Sequence, residues 1–319
     1  MSLSRRQFVV GLGTAAAATA IPARAGNFLG TPDRLYPPVD LSYFDVPISH
    51  GPPAIRIGYS AITWGGKDRQ AIEEISAVGY PGIQLRANAL TEFPDPHALK
   101  DLLAKNHLAF VALSSGGAPL DPGQQSKAIA THTRNARYLR QAGGKYLQVI
   151  AASSRGQHFT VSDYKREGQL LTEIAKRVSD YGIQTGLHNH MNSMGQTPEQ
   201  VEAILEAADP RYLKLELDVA HYFQGGGDPA AAIRQYSDRL LFLHLKDVEH
   251  TVTPDGYQFV ELGQGKVDFP AIFKALRDVR FRGWGIVELD SEPAGSTRTP
   301  KQSAALSKEY LTKKLGVSI

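Results

Sequence analysis

Residues 213–221 read LKLELDVAH, and the same design recurs in FLHLKD at 242–247 and in IVELD at 286–290. Each segment is a short apolar run interrupted by carboxylate, imidazole or amine side chains. Side chains alternate between the two faces of a strand, so the charged residues within each run share a face. A buried unpaired carboxylate is costly, so several pointing into one interior require mutual neutralisation, a metal ion or both. The three segments therefore indicate an active site at one end of a parallel sheet.

Short apolar runs alternate with amphipathic segments from Ile55 onward. We predict eight strands, at Ile55–Ala61, Gly82–Ala87, Leu108–Ser114, Tyr146–Ala152, Gln184–His190, Leu213–Asp218, Leu240–Lys246 and Gly283–Leu289. We predict eight helices, at Asp68–Val78, Pro96–Lys105, Gln124–Gln141, Ser162–Tyr181, Pro198–Ala208, Pro229–Tyr236, Phe269–Val279 and Lys301–Leu315. Capping residues precede three of them, at Thr197, Asp228 and Asp268.

Eight strand–helix units over residues 54–319 are typical of a closed (β/α)8 TIM barrel. An open doubly wound sheet is the alternative, and it would need a glycine-rich phosphate turn after its first strand. The sequence GYSAITWGG at 58–66 does not match that turn. In a barrel, function lies at the carboxyl ends of the strands, where the charged residues quoted above are found.

The first 25 residues have the pattern of a twin-arginine export signal. Arg5 and Arg6 precede a mildly apolar run, and Ala23-Arg24-Ala25 offers a cleavage site. The apolar run is too short for a membrane anchor, so we expect a periplasmic or secreted protein. Residues 26–53 are rich in proline and predict an extended arm, which leaves residues 54–319 as the catalytic domain.

Charge and cysteine content exclude several classes of function. The chain has 35 basic and 32 acidic residues, and residues 1–25 hold three arginines and no acidic residue. The exported protein would therefore be close to neutral, which argues against a nucleic-acid partner. The absence of cysteine excludes disulfides, thiolate metal sites and a cysteine nucleophile.

Six short motifs follow one another along the second half of the chain: LHNHM at 187–191, QTPE at 196–199, DVAH at 218–221 with GGDP at 226–229, HLKD at 244–247, GQGKVDF at 263–269 and VE at 287–288. Their order and spacing resemble the sugar isomerase/epimerase superfamily with the xylose isomerase-like barrel, and especially inosose dehydratases and related keto-sugar enzymes. The resemblance extends from about residue 55 to residue 288. It implies one divalent cation, Mn²⁺, Co²⁺, Mg²⁺ or Zn²⁺, held by four side chains from the fifth to the eighth strands.

The family's metal ligands are typically Glu, Asp, His and Glu. Asp218, His244 and Glu288 match the last three, whereas His188 stands in place of the first glutamate. The replacement leaves a metal ligand but removes one carboxylate of the two-glutamate proton exchange used by epimerases. The resemblance therefore implies proton abstraction next to a carbonyl of a keto-sugar, keto-polyol or keto-glycoside, followed by dehydration or elimination.

The remaining roles follow from position near this metal set. We expect Glu288, Lys246 and His190 to be catalytic, and His221, Trp64 and Phe223 to contact a small carbohydrate substrate. Glu216 lies deeper in its strand and is interpreted as structural. A homo-oligomer is compatible with the sequence.

Other interpretations stay open at this point. The same scaffold could carry a sugar isomerase or epimerase, a hydrolase related to apurinic endonuclease, or a carbohydrate-binding barrel without catalysis. Individual residues also have structural explanations. Asp218 could cap a loop, Glu288 could pair with Lys246, and the two loop aromatics could serve only in packing.

Overall fold

The computed structural model describes residues 55–154, 157–251 and 256–319. The predicted signal segment and the proline-rich arm lie outside these ranges. Eight parallel strands form a barrel: β1 (Arg56–Ser60), β2 (Gly82–Arg86), β3 (Ala109–Gly117), β4 (Tyr146–Ile150), β5 (Gln184–His188), β6 (Leu213–Asp218), β7 (Leu240–Leu245) and β10 (Trp284–Val287). The barrel strands follow chain order, and β1 pairs with β10 to close the ring. The predicted TIM barrel is confirmed, and the open sheet is wrong.

Helices follow the strands and cover the barrel. They are α1 (Asp68–Val78), α2 (Ala89–Glu92), α3 (Pro96–Lys105), α4 (Pro122–Gln141), α5 (Val161–Ser179), α6 (Pro198–Ala207), α7 (Val219–Gln224), α8 (Pro229–Gln235), α9 (Phe269–Asp278) and α10 (Pro300–Glu309). The predicted caps are present, since Thr197, Asp228 and Asp268 each accept a backbone N–H of the first turn. Among the described residues, no helix has the length and apolar character needed to cross a membrane.

A hairpin that was not predicted follows β7 directly. Its strands are β8 (Asp247–His250) and β9 (Tyr257–Val260), paired antiparallel. The carboxylate of Asp247 accepts backbone N–H groups from Val248, Gly263, Gly265 and Val267. This single buried side chain therefore fixes both ends of the segment between β8 and α9, next to the carboxyl end of the barrel.

The barrel interior is apolar below the carboxyl ends of its strands. Phe242 and Trp284 are packed there with Val111, Ala112 and Ile286. Burial of each large apolar side chain stabilises the fold by about 1.5–3 kcal/mol. Because this layer fills the ring, polar side chains further along the same strands can be reached only from the carboxyl end.

Candidate metal centre

Charged side chains from four neighbouring strands meet above the apolar layer. Strand register explains the meeting, because His188 on β5 lies beside Glu216 on β6, and Asp218 lies beside His244 on β7. In-register neighbours on parallel strands point to the same side of the sheet. Glu216, Asp218 and His244 have no solvent-exposed surface, and Glu288, directly after β10, is 5% exposed.

Three of the four predicted ligands form one compact group. The Nδ1 atom of His244 lies 3.6 Å from Asp218 Oδ2 and 3.2 Å from Glu288 Oε1. One potential ligand atom from each residue lies within 4.8 Å of the other two. These distances allow the three atoms to share one small cation with limited side-chain movement.

Unsatisfied polar atoms provide an independent test of a cation at this place. Five buried atoms of the cluster have no hydrogen-bond partner within the described ranges: His188 Nδ1, both carboxylate oxygens of Glu216, Asp218 Oδ2 and His244 Nδ1. Buried polar atoms are almost always satisfied, so a concentration of exceptions indicates an ion or water between them. Imidazole and carboxylate donors together suit Zn²⁺, Co²⁺ or Mn²⁺. The residues present therefore fit a divalent cation.

His188 lies next to this group and does not belong to it. It forms one possible ligand group with Glu216 and His244, and another with His190 and His221. Its ring centroid is 4.9 Å from that of His244. The structure thus brings all four predicted ligands into one cluster but leaves the position of His188 in the ligand set a prediction.

Lys246 is a completely buried cation at the edge of the cluster. Its Nζ atom lies 2.8 Å from Asp290 Oδ1, 3.1 Å from Glu288 Oε1 and 3.7 Å from Asp218 Oδ2. Burial alone would lower the pKa of Lys246, but the carboxylates of Asp290 and Glu288 raise it above its usual value. Lys246 is therefore an ammonium group at neutral pH, able to donate hydrogen bonds and protons.

Two further histidines, His190 and His221, lie above the cluster with ring centroids 4.0 Å apart. Burial lowers the pKa of both imidazoles, the ammonium group of Lys246 lowers it further, and the carboxylate of Asp218 offsets only part of this lowering. His190 donates its Nδ1–H to the backbone carbonyl of Met191 at 2.6 Å, which leaves Nε2 with a lone pair. His190 is half-buried and neutral, which is the state required of a proton acceptor.

The carboxylates and His244 stabilise one another's charge. Burial opposes ionisation of Glu288 and Asp218. The imidazole of His244 and the ammonium group of Lys246 hold the pKa of Glu288 below the usual range, and the imidazole of His221 with the same ammonium group does so for Asp218. Burial likewise opposes protonation of His244, yet the fields of Glu216 and Glu288 raise its pKa well above the ordinary value. The pocket is thus electrostatically built to hold positive charge at the position of His244 Nδ1.

The structure does not bring Trp64 and Phe223 into the cluster. Trp64 is 4% exposed, packs edge-on against Tyr59, and donates its indole N–H to Glu74 on α1 at 2.7 Å. Phe223 lines a cavity of about 270 Å³ between α8 and α9, together with Pro229 and other residues of those helices. Neither aromatic side chain has a contact with the proposed ligands among the contacts described above, and their role as substrate contacts stays a prediction.

Phe259, which the sequence analysis did not single out, does lie at the cluster. Its ring lies 4.2 Å from Lys246 Nζ and 5.0 Å from the ring centroid of His221. The hairpin supplies it, and the hairpin itself was not predicted. An apolar ring over a cation excludes water and strengthens the local electrostatic interactions.

Known proteins resemble this chain along most of its length. A family model described as a xylose isomerase-like TIM barrel matches residues 72–314. An inosose dehydratase of Lacticaseibacillus casei is 26% identical over 294 residues, which cover 81% of this chain and 96% of that relative. The rhizopine catabolism protein MocC of Rhizobium meliloti is 27% identical over 281 residues, covering 75% of this chain and 83% of the relative.

Among solved structures, the IolI protein with a bound zinc atom has a TM-score of 0.71 at 20% identity, covering 83% of this chain and 100% of its own. A probable 3-DHS dehydratase, AsbF, from Bacillus anthracis has a TM-score of 0.67 at 16% identity, covering 81% and 99%. At these identities the likeness establishes a common fold.

Proposed function

Because the chain belongs to the xylose isomerase-like TIM barrel family, we propose that it is a divalent-metal-dependent enzyme that dehydrates a keto-sugar, keto-polyol or keto-glycoside. The observation that carries the proposal is the convergence of Asp218, His244 and Glu288 at the open end of the barrel, with unsatisfied ligand atoms on Asp218 and His244. The inosose dehydratases among its relatives support elimination as the outcome.

The cation would be held by Asp218, His244 and Glu288, with His188 as the fourth ligand. When bound, it would supply Lewis-acid chemistry that favours removal of a proton next to the substrate carbonyl. Elimination then requires a group that accepts this proton and a second group that delivers a proton to the departing oxygen.

Two residues are in the right protonation states for these tasks. His190 is neutral with a free Nε2 lone pair, and we assign it as the base. Lys246 retains its proton in the field of Asp290 and Glu288, and we assign it as the acid that gives a proton to the departing hydroxyl group, which leaves as water. His221, whose ring lies between these two residues, is assigned to a substrate hydroxyl. Positioned acid–base groups of this kind accelerate proton transfer by roughly 10²- to 10⁴-fold.

The charge of the cluster favours a neutral substrate. Glu216, Asp218, Glu288 and Asp290 provide four carboxylates against the single ammonium group of Lys246. One divalent cation would reduce this excess of negative charge without reversing it, as long as the imidazoles are neutral. A phosphorylated sugar would add two negative charges at the same place, so we propose a free sugar, polyol or glycoside.

Export is part of the proposal. The arginine pair followed by an apolar run and a small-residue cleavage site supports passage through the twin-arginine pathway to the periplasm or beyond. A neutral keto-sugar or keto-glycoside would be accessible to an enzyme there. Fusion of residues 1–53 to a reporter, with and without lysine in place of both Arg5 and Arg6, tests this part.

The catalytic proposal is tested by metal removal and replacement. We expect EDTA-treated protein to be inactive and Mn²⁺ or Co²⁺ to restore activity toward a panel of neutral keto-sugars, with appearance of an enone absorbance. Glu288→Gln should reduce turnover at least 10²-fold. Solvent deuterium entering recovered substrate without enone would indicate isomerisation or epimerisation. Full activity after EDTA, or wild-type activity of Glu288→Gln, would refute the proposed site.

A further inference from the structure

Glu216 lies beneath the proposed metal ligands and has no role in the proposed reaction. Its carboxylate has no exposed surface. Its Oε1 atom lies 2.8 Å from His244 Nε2 and 3.2 Å from His188 Nδ1. Neither contact has the angles of a hydrogen bond, but one oxygen is close to two imidazoles. The imidazoles of His188 and His244 are therefore positioned as partners of this buried carboxylate.

A neighbouring amide establishes which nitrogen of His244 carries the proton beneath the cluster. Gln84 donates its Nε2 to Gln148 Oε1 at 2.5 Å, so Gln84 Oε1 is free to accept. That oxygen lies 2.9 Å from His244 Nε2. Two acceptors, Gln84 Oε1 and Glu216 Oε1, thus surround the same ring nitrogen, which must be N–H. The other nitrogen, Nδ1, faces the carboxylates of Asp218 and Glu288, and a bound cation would take the place of its proton there.

This assignment excludes one alternative for Glu216. His244 belongs to two possible ligand groups. If its Nδ1 atom binds a cation together with Asp218 and Glu288, only its Nε2 atom is left for a cation bound by His188 and Glu216. A neutral imidazole has one lone pair and cannot serve both groups. His188 Nδ1 faces Glu216 Oε1 at 3.2 Å, so a proton on this nitrogen would leave the Nε2 atom of His188 available to a cation.

We propose that Glu216 is a positioning residue, whose buried carboxylate holds the inward nitrogens of His188 and His244 as N–H donors so that the opposite nitrogens face the cation. The inference rests on the proposed metal-dependent function and deepens it. Carboxylates that orient metal-bound imidazoles in this way fix the ring and raise its basicity. One carboxylate serving two imidazoles would couple β5 and β7 through β6.

The test is a Co²⁺ titration of the metal-free full-length protein and its variants, followed by equilibrium affinity and by the visible absorption of bound Co²⁺. In Glu216→Gln, the amide can accept from one imidazole but must present its NH₂ group to the other. We expect Co²⁺ affinity to fall about 10- to 100-fold, with the wavelengths and intensities of the absorption bands unchanged. Glu216→Asp retains the charge and should recover part of the affinity.

Glu167→Gln provides the matched control. Glu167 on α5 has no exposed surface either, and it bonds to the backbone of Ala152 rather than to the proposed ligands. The same chemical change at equal burial should leave Co²⁺ affinity at the wild-type value. Circular dichroism identifies any variant that fails to fold, and Glu216→Asp then carries the test alone.

Each result has a distinct meaning. Unchanged Co²⁺ affinity in Glu216→Gln would overturn the inference, since the carboxylate would then not orient the two imidazoles. Altered band wavelengths or intensities in that variant would also overturn it, because they would make Glu216 a ligand. Failure of the wild-type protein to bind Co²⁺ would instead refute the proposed metal-dependent function, whatever the variants do.

Discussion

Ionisation of Glu167 should weaken the fold as pH rises through the neutral range. The side chain lies between α5 and the barrel, where its Oε1 accepts the backbone N–H of Ala152 at 2.9 Å. Its Oε2 has no hydrogen-bond partner in the described part of the chain. Ala152 in turn accepts the N–H of Met194, in the loop that follows His190. Glu167 thus supports the loops on one side of the proposed active site.

The magnitude follows from the pKa. Burial raises the pKa of Glu167 from 4.5 to about 7, against the smaller lowering effect of the Ala152 N–H. Between these values the folded protein holds a proton that the unfolded chain releases. Stability therefore falls as pH rises, by about 1.4 kcal/mol per pH unit, to a total of about 3 kcal/mol. The contribution is intact below pH 4.5 and lost above pH 7.

Glu167→Gln isolates this effect. Glutamine keeps the acceptor for Ala152 and mimics the protonated acid, but it does not titrate. We expect the free energy of urea unfolding of the variant, minus that of the wild type, to increase by about 3 kcal/mol between pH 4.5 and pH 7.5. All other titrating groups are common to both proteins and cancel. A difference that stays constant across this range would refute a raised pKa at Glu167.

Two further substitutions test the electrostatics of the cluster and the role of Trp64. Lys246→Met leaves the buried carboxylate of Glu288 without its ammonium partner. We therefore expect the free energy of unfolding to fall by about 3–5 kcal/mol and turnover to be lost. Wild-type stability of this variant in urea would contradict the charge balance of the cluster. Trp64→Phe removes the bond to Glu74 and should cost about 1 kcal/mol of stability with KM unchanged. A raised KM of Trp64→Phe at unchanged stability would instead support a contact between Trp64 and the substrate.

The barrel could be predicted from sequence because each strand is marked twice, by its apolar run and by the turn or cap that follows. The elements that were missed carry weaker signals. The α7 helix begins directly at Val219, after a strand whose last residue, Asp218, also caps the helix through the N–H of His221. The hairpin strand Tyr257–Val260 is only four residues long. Short segments of this kind are held by tertiary contacts, which a sequence pattern does not contain.

The charged residues of the candidate cluster were predictable from the sequence, whereas the aromatic ring of Phe259 beside them was not. Asp218, His244 and Lys246 occupy strand ends, where alternation determines the face on which a side chain lies. Trp64 and Phe223 lie in helical turns after the strands, where a small rotation decides between the barrel mouth and the helical layer. Phe259 was missed because no local sequence pattern shows that the hairpin places this ring over Lys246.

Strand alternation predicts the face on which Glu216 lies but not its role. The pattern Glu216-Leu217-Asp218 places both carboxylates on the inner face, and from the sequence we interpreted the deeper one, Glu216, as structural. The structure shows what surrounds Glu216, because the register of the parallel strands places Glu216 beside His188 and Asp218 beside His244. The stagger between neighbouring strands thus puts the lower carboxylate under two imidazoles and the upper one at the open end. A single two-residue repeat therefore supplies both a candidate ligand and the group that orients its neighbours.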